Sequence, residues 1–181
     1  MDKLNLISEK VLKKTPVFDL VERTVEGTDF KPVAIKCKDW VMICVTDDKV
    51  DRAVFVRQTR WGVLDKTVEF PCGTVEESDT ATDAATKFQV AAARELEEET
   101  GIKIKPEQLH LIAEFNPNPA YFENKMHIFQ VLVPDLDFVW ENRGMQNLDS
   151  DEDCEVFMDH IYSHFKELSK NAMSICAVAN L

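Results

Sequence analysis

Glycine is scarce in this chain, at five of 181 residues, and positive charge is short: 21 Lys and Arg stand against 33 Asp and Glu, a formal net charge of −12. General nucleic-acid binding needs a basic face, so nucleic acid is not an expected partner. No stretch approaches the roughly 20 consecutive apolar residues that a membrane span requires. Met1–Lys10 carries no apolar run of the signal-peptide type. The five cysteines, Cys37, Cys44, Cys72, Cys154 and Cys176, are odd in number and widely spaced, with no CxxC pair. That pattern argues against a disulfide framework or a zinc site and suits a reducing compartment. The expectation is a cytoplasmic protein with no membrane partner. Internal repeats and low-complexity tracts are also missing.

What remains is an ordinary globular balance, 45% hydrophobic and 30% charged residues, in a chain long enough to bury a core without covalent staples. Residues 1–32, with Val17, Phe18, Val21 and Val25, read as one or two strands or as an arm packing on a partner. β-type runs follow at Val33–Lys36, Trp40–Val45, Ala53–Arg57 and Thr67–Phe70, the last closed by Pro71 and Gly73. Asp47, Asp48, Lys49 and Asp51 give a hairpin-loop composition between the second run and the third. Residues 80–100 read as a helix, with Thr80 and Asp83 as a capping box and Gly101 as the C-terminal cap. Further strands are expected at Leu109–Phe115, Met126–Val133 and Glu155–Met158, and one or two helices over Asp159–Leu181. Strands and helices mix without regular βαβ alternation, which favours an α+β fold.

The informative stretch is Arg94-Glu95-Leu96-Glu97-Glu98-Glu99-Thr100-Gly101-Ile102. At about 100° per residue, Glu95, Glu98 and Glu99 fall on one helical face. Three carboxylates so placed repel one another unless a cation holds them, and hard oxygen donors suit Mg²⁺ or Mn²⁺. Glu97 points elsewhere, and Arg94 can pair with one glutamate and fix its rotamer. Glu-rich helices are also common as plain solvated faces, and the spacing alone does not separate the two.

Arg94 to Ile102 resembles the second half of the Nudix box, with every defined position matched. Gly73 resembles the Gly that opens the box, and Asp79 stands where the family has Glu. Fourteen residues, 80–93, occupy a spacer that is seven long in the family pattern. Seven residues turn a helix by about 700°, close to two full turns, so an insertion can lengthen the helix without rotating its glutamate face. Ala81, Ala85, Phe88, Ala92 and Leu96 would continue an apolar stripe through it. A looped-out insertion is the alternative. Outside the box, Val56-Arg57-Gln58-Thr59-Arg60, Glu69-Phe70-Pro71-Cys72-Gly73 and the Asn118–Asn124 loop resemble the ADP-ribose and nucleoside diphosphate sugar pyrophosphatase branch, as does Asn171-Ala172-Met173-Ser174.

The resemblance implies a Nudix-type α/β/α sandwich with a mixed sheet and a carboxylate-bearing helix. It assigns residues 1–32 to an N-terminal strand region or dimerisation arm and residues 33–181 to the hydrolase domain. It implies a likeness in chemistry too: Mg²⁺- or Mn²⁺-dependent hydrolysis of a diphosphate bond in ADP-ribose or a nucleoside diphosphate sugar, by a homodimer. Glu95, Glu98, Glu99 and the Cys72 carbonyl would be the metal ligands. Glu98, Glu99 and Arg94 would be catalytic, with Glu152 in the acidic run Asp149–Asp153 as candidate general base. Arg60 is the candidate phosphate contact, since a guanidinium matches phosphate geometry; a strand-edge arginine is the other reading. Arg57, three residues away in an alternating strand, faces the opposite side. Glu69 orients the loop or binds a ribose hydroxyl, and Tyr121 and Asn124 sit in the substrate loop. Hydrolysis of a dinucleoside polyphosphate or coenzyme A derivative, and nucleotide-sugar binding without turnover, are the alternatives.

Overall fold

The computed structural model describes residues 4–83, 85–148, 150 and 153–181. In chain order the strands and α-helices are β1 (Leu6–Lys14), β2 (Asp19–Val25), β3 (Val33–Lys36), β4 (Trp40–Asp47), β5 (Arg52–Arg60), β6 (Asp65–Glu69), β7 (Cys72–Thr74), α1 (Lys87–Thr100), β8 (His110–Phe115), β9 (Met126–Val133), α2 (Leu136–Glu141), β10 (Cys154–His160), α3 (Phe165–Leu168) and α4 (Ala172–Asn180). Short 3₁₀ turns at Pro106–Gln108 and Ile161–His164 precede β8 and α3.

The main sheet runs β10-β5-β4-β9-β8 and is mixed: β4 and β9 are parallel, the other neighbours antiparallel. Its centre, β4, reads Val-Met-Ile-Cys-Val with every one of these side chains buried, as a strand covered on both faces must be. Alternation then sorts the core. Val41, Ile43 and Val45 turn to one face, where Ala91, Ala92 and Leu96 of α1 cover them. Met42 and Cys44 turn to the other, against Leu168 of α3 and Ala177 of α4. Helices on both faces of a mixed sheet make the expected α/β/α sandwich.

β4 and β5 part company almost at once. They share the pair Thr46↔Ala53, after which β5 pairs with β6 and β4 with β7. The sheet therefore opens into a V. Arg60 and Glu69 stand on one arm and Cys72 and Gly73 on the other, with α1 packed against the opening.

β1, β2 and β3 form a separate three-stranded antiparallel sheet. It crosses the boundary expected at residue 32, because β3 pairs with β2. A bridge from Ile35 to Phe122 joins it to the loop before β9.

The helix expected over residues 80–100 is shorter. It starts at Lys87, and its capping box is Thr86 with Gln89 rather than Thr80 with Asp83. Gln89 N–H donates to Thr86 Oγ1 at 3.3 Å, and Thr86 N–H to Gln89 Oε1 at 2.9 Å. The described part of the insertion is looped out. Thr82 and Ala85 close a tight turn through paired hydrogen bonds of their own, Thr82 N–H to Ala85 O at 2.8 Å and Ala85 N–H to Thr82 Oγ1 at 3.0 Å. Such local Thr hydrogen bonds compete with helix, and a second Thr-x-x-Gln signal supplies the later start. The C-terminal cap is as read: Gly101 has φ +74° and donates to Glu97 O at 2.8 Å.

Candidate active site

A cleft of about 450 Å³ lies in the V of the sheet, lined by Arg60, Cys72, Arg94, Glu95, Glu98 and Glu99, with Gln58, Glu76 and Asn147 at its edges. α1 supplies the carboxylates. Its core side is pinned by Leu96, fully buried, and at about 100° per residue Glu95, Glu98 and Glu99 fall together beside it, on the side that lines the cleft. Glu97 turns to solvent and pairs with Lys103 at 2.8 Å.

Arg94 organises the cluster. Its Nε and Nη2 donate to the two oxygens of Asp79 at 3.0 Å each, and Nη2 also reaches Thr74 O at 2.9 Å. Nη1 sits between Glu95 Oε1 at 2.9 Å and Glu98 Oε2 at 2.8 Å. The Asp79 hydrogen bonds hold the guanidinium firmly in its charged form. Burial works against the Asp79 charge, but Arg94 and the Glu76 N–H outweigh it and leave the carboxyl below its ordinary range. The looped insertion thus returns Asp79 to the arginine despite the lengthened spacer.

A second arginine–carboxylate fork stands on the other arm. Arg60 Nε and Nη2 grip Glu69 at 2.9 and 2.8 Å. Glu69 is 1% exposed, beneath Arg60, where it orients the guanidinium. Burial opposes its charge; Arg60 and Thr67 outweigh that and keep the carboxyl low. Among the described residues Arg60 Nη1 has no hydrogen-bond partner, and Arg60 lines the cleft. Cys72 joins the arms: its N–H donates to Glu99 Oε2 at 2.9 Å, and its sulfur lies 3.2 Å from Arg60 Nη2. Burial drives the Cys72 thiol well above its ordinary pKa, so it stays protonated and unreactive.

Gly73 has a steric reason. A Cβ there would lie 2.1–2.3 Å from the Glu95 carboxylate, so Glu95 can lie across the strand only because residue 73 has no side chain.

Among the described residues, no three His, Cys, Asp or Glu side chains converge as a cation cage as they stand. The cause is visible: the Arg94 guanidinium occupies the space between Glu95 and Glu98, and Glu99 is turned to the Cys72 N–H. The donor set nevertheless fits a hard divalent cation, with three carboxylates on one cleft wall and a guanidinium already standing where positive charge is needed.

The chain therefore brings Arg60, Cys72, Arg94, Glu95, Glu98 and Glu99 together, with Glu69 behind them. Glu152 lies outside the described residues. Tyr121 is exposed and lines a different groove, between its loop and the N-terminal sheet. Asn124 is 2% exposed with neither side-chain amide atom hydrogen-bonded among the described residues, and it does not line the cleft. Arg57 points to the opposite face, paired with Glu155 at 2.8 Å. His160 and His164 pair separately with Asp51 and Asp159. In the sequence Gln58 stood only within the Arg57–Arg60 strand motif, with no role assigned, and Asn147 was passed over. Gln58 was findable, since it lies two residues from Arg60 on an alternating strand; Asn147 had no local signal.

A mixed sheet between two helical layers, opening onto a carboxylate-bearing helix, is the architecture expected of a Nudix protein. Residues 38–161 match the NUDIX domain model, and the chain belongs to this family. Of solved structures, an ADP compounds hydrolase is similar to it at a TM-score of 0.67 and 19% identity, over 99% of this chain and 94% of that one. That likeness is one of fold. No curated protein sequence matches significantly.

Proposed function

We propose that the chain is a divalent-cation-dependent diphosphatase that hydrolyses the diphosphate bond of ADP-ribose or a nucleoside diphosphate sugar, releasing a nucleoside monophosphate and a sugar phosphate. One observation carries this: Glu95, Glu98 and Glu99 line a single cleft opposite Arg60. The resemblance of the fold to an ADP compounds hydrolase supports an ADP-type substrate.

Mg²⁺ or Mn²⁺ held by Glu95, Glu98, Glu99 and the Cys72 carbonyl would neutralise the phosphates and lower the pKa of a bound water. The protein's own part is positioning. Asp79 keeps Arg94 in place, and Arg94 keeps the Glu95 and Glu98 carboxylates together against their repulsion. Glu69 locks two of the Arg60 donors, leaving Nη1 for a phosphate oxygen, and a pre-oriented guanidinium loses little freedom on binding. Gln58 lines the same wall, its Nε2 buried and without a hydrogen-bond partner among the described residues. A cation is what reconciles a −12 chain with an anionic substrate. The reading includes a cytoplasmic homodimer joined through the exposed apolar residues of the N-terminal sheet, Leu6, Ile7, Val11 and Leu12 among them. No helix among the described residues is long and apolar enough to cross a membrane.

The test is a panel of ADP-ribose, nucleoside diphosphate sugars, dinucleoside polyphosphates and coenzyme A with Mg²⁺, products identified by mass. Turnover of the first two classes, lost in Glu98→Gln and Glu99→Gln, is expected; turnover untouched by those changes contradicts the mechanism.

A further inference from the structure

The last carbonyls of a helix have no partner inside it. In α1 they belong to the turn that carries Glu98 and Glu99, and a strap formed by residues 144–147 meets them. Gly144 N–H donates to Gly101 O at 2.7 Å and Asn147 N–H to Glu98 O at 2.9 Å. Gln146 Nε2 donates to Glu99 O at 2.5 Å and to Cys154 O, at the start of β10, at 3.1 Å. Both hydrogens of one amide thus tie the last turn of α1 to an edge strand of the sheet. The approach is close: a Cβ on Gly101 would lie 2.1 Å from Gly144 O.

The rest of α1 is fixed independently, by its capping box at one end and Leu96 in the core. Helix ends fray, and fraying here would swing Glu98 and Glu99 rather than an inert turn. We propose that Gln146 is a positioning residue whose amide holds the last turn of α1, and with it the carboxylates of Glu98 and Glu99, toward the cleft. Its consequence for catalysis rests on the diphosphatase reading; the anchoring does not.

Full-length Gln146→Ala and Gln146→Glu are compared with wild type by amide hydrogen exchange of peptides across α1, by calorimetric Mn²⁺ titration, and by kcat and KM on ADP-ribose. Gln146→Glu replaces the donor with an acceptor facing two carbonyls. The expected result is exchange at least tenfold faster over residues 97–102, with the first turn of α1 unchanged. Mn²⁺ affinity falls about tenfold, and kcat falls while KM stays within twofold. Unchanged exchange over 97–102 overturns the proposal, as does uniform acceleration along α1 that tracks a lower Tm, which is general destabilisation. If those variants do not fold, Gln146→Asn, one methylene too short to reach both carbonyls, takes their place: faster exchange confined to 97–102 supports the anchoring, and unchanged or uniform exchange overturns it. Exchange is read without metal or nucleotide. A wild type that binds no cation would therefore overturn the diphosphatase reading while the exchange result still decides the anchoring.

Discussion

The cleft and the N-terminal sheet invert the usual placement of residues. Around the cleft, charges are drawn inward and paired: Asp79 and Glu69 are buried carboxylates, each gripped by Nε and Nη2 of an arginine. In β1–β3 several apolar side chains lie outside, with Leu6, Ile7, Val11, Leu12 and Val33 exposed, while ion pairs among Glu9, Arg23, Lys36 and Glu123 tie the sheet to the domain. A buried charge costs several kcal/mol unless paired, so the cleft is built for a geometry rather than for stability. Contiguous exposed apolar surface is characteristic of interaction faces. On the proposed reading, the first region would serve a ligand inside one chain and the second a partner chain.

Four variants and one titration sharpen that contrast. Removing a carboxylate from the cleft should matter most: Glu98→Gln is expected to lower kcat on the order of 10²–10³-fold, the scale of losing one preorganised charge, with secondary structure by circular dichroism unchanged. Arg60→Ala strands the Glu69 carboxylate in the interior. Loss of one partner of a buried pair costs about 3–5 kcal/mol, and the lower end applies because Arg60 is partly exposed; denaturant unfolding measures it. Gly73→Ala pushes Glu95 off the strand. It should weaken Mn²⁺ binding about tenfold, as loss of an orienting group does, with little loss of stability, since the far end of a flexible side chain gives way.

On the other region, Leu6→Glu with Leu12→Glu should leave subunit stability within about 0.5 kcal/mol and raise the dimer dissociation constant at least about tenfold, or about 1.4 kcal/mol, by sedimentation. An unchanged association would break the contrast. The smallest effect is on acid stability. Folded Asp79 and Glu69 titrate below their unfolded values, so the unfolded chain binds protons first as pH falls. Their stabilisation is present above the ordinary carboxylate range, about pH 4, and is lost below it. Asp79→Asn should flatten the fall of Tm with pH in that window.

The glutamate face, the strand order along the chain and the Gly101 cap were legible because each is a local pattern read off adjacent residues. The helix start was not, because Thr80–Asp83 and Thr86–Gln89 are both plausible caps, and only tertiary contact decides between them: Ala92 and Leu96 reach the core, whereas Ala81 lies exposed in the loop. The Asp79–Arg94 fork was hidden for a related reason, since a looped spacer can return a side chain that a straight one would carry away. Tyr121 and Asn124 were placed by order along the chain, which does not say which side of a loop faces the cleft. The strap at Gln146 joins residues 47 positions apart and left no local trace.

The most direct test is calorimetric titration of Mg²⁺ and Mn²⁺ into the wild type and into Glu98→Gln. Saturable binding by the wild type, weakened at least about tenfold in the variant, is predicted; a wild type that takes up no divalent cation, or a variant that binds equally well, would contradict a cation site on the glutamate face of α1.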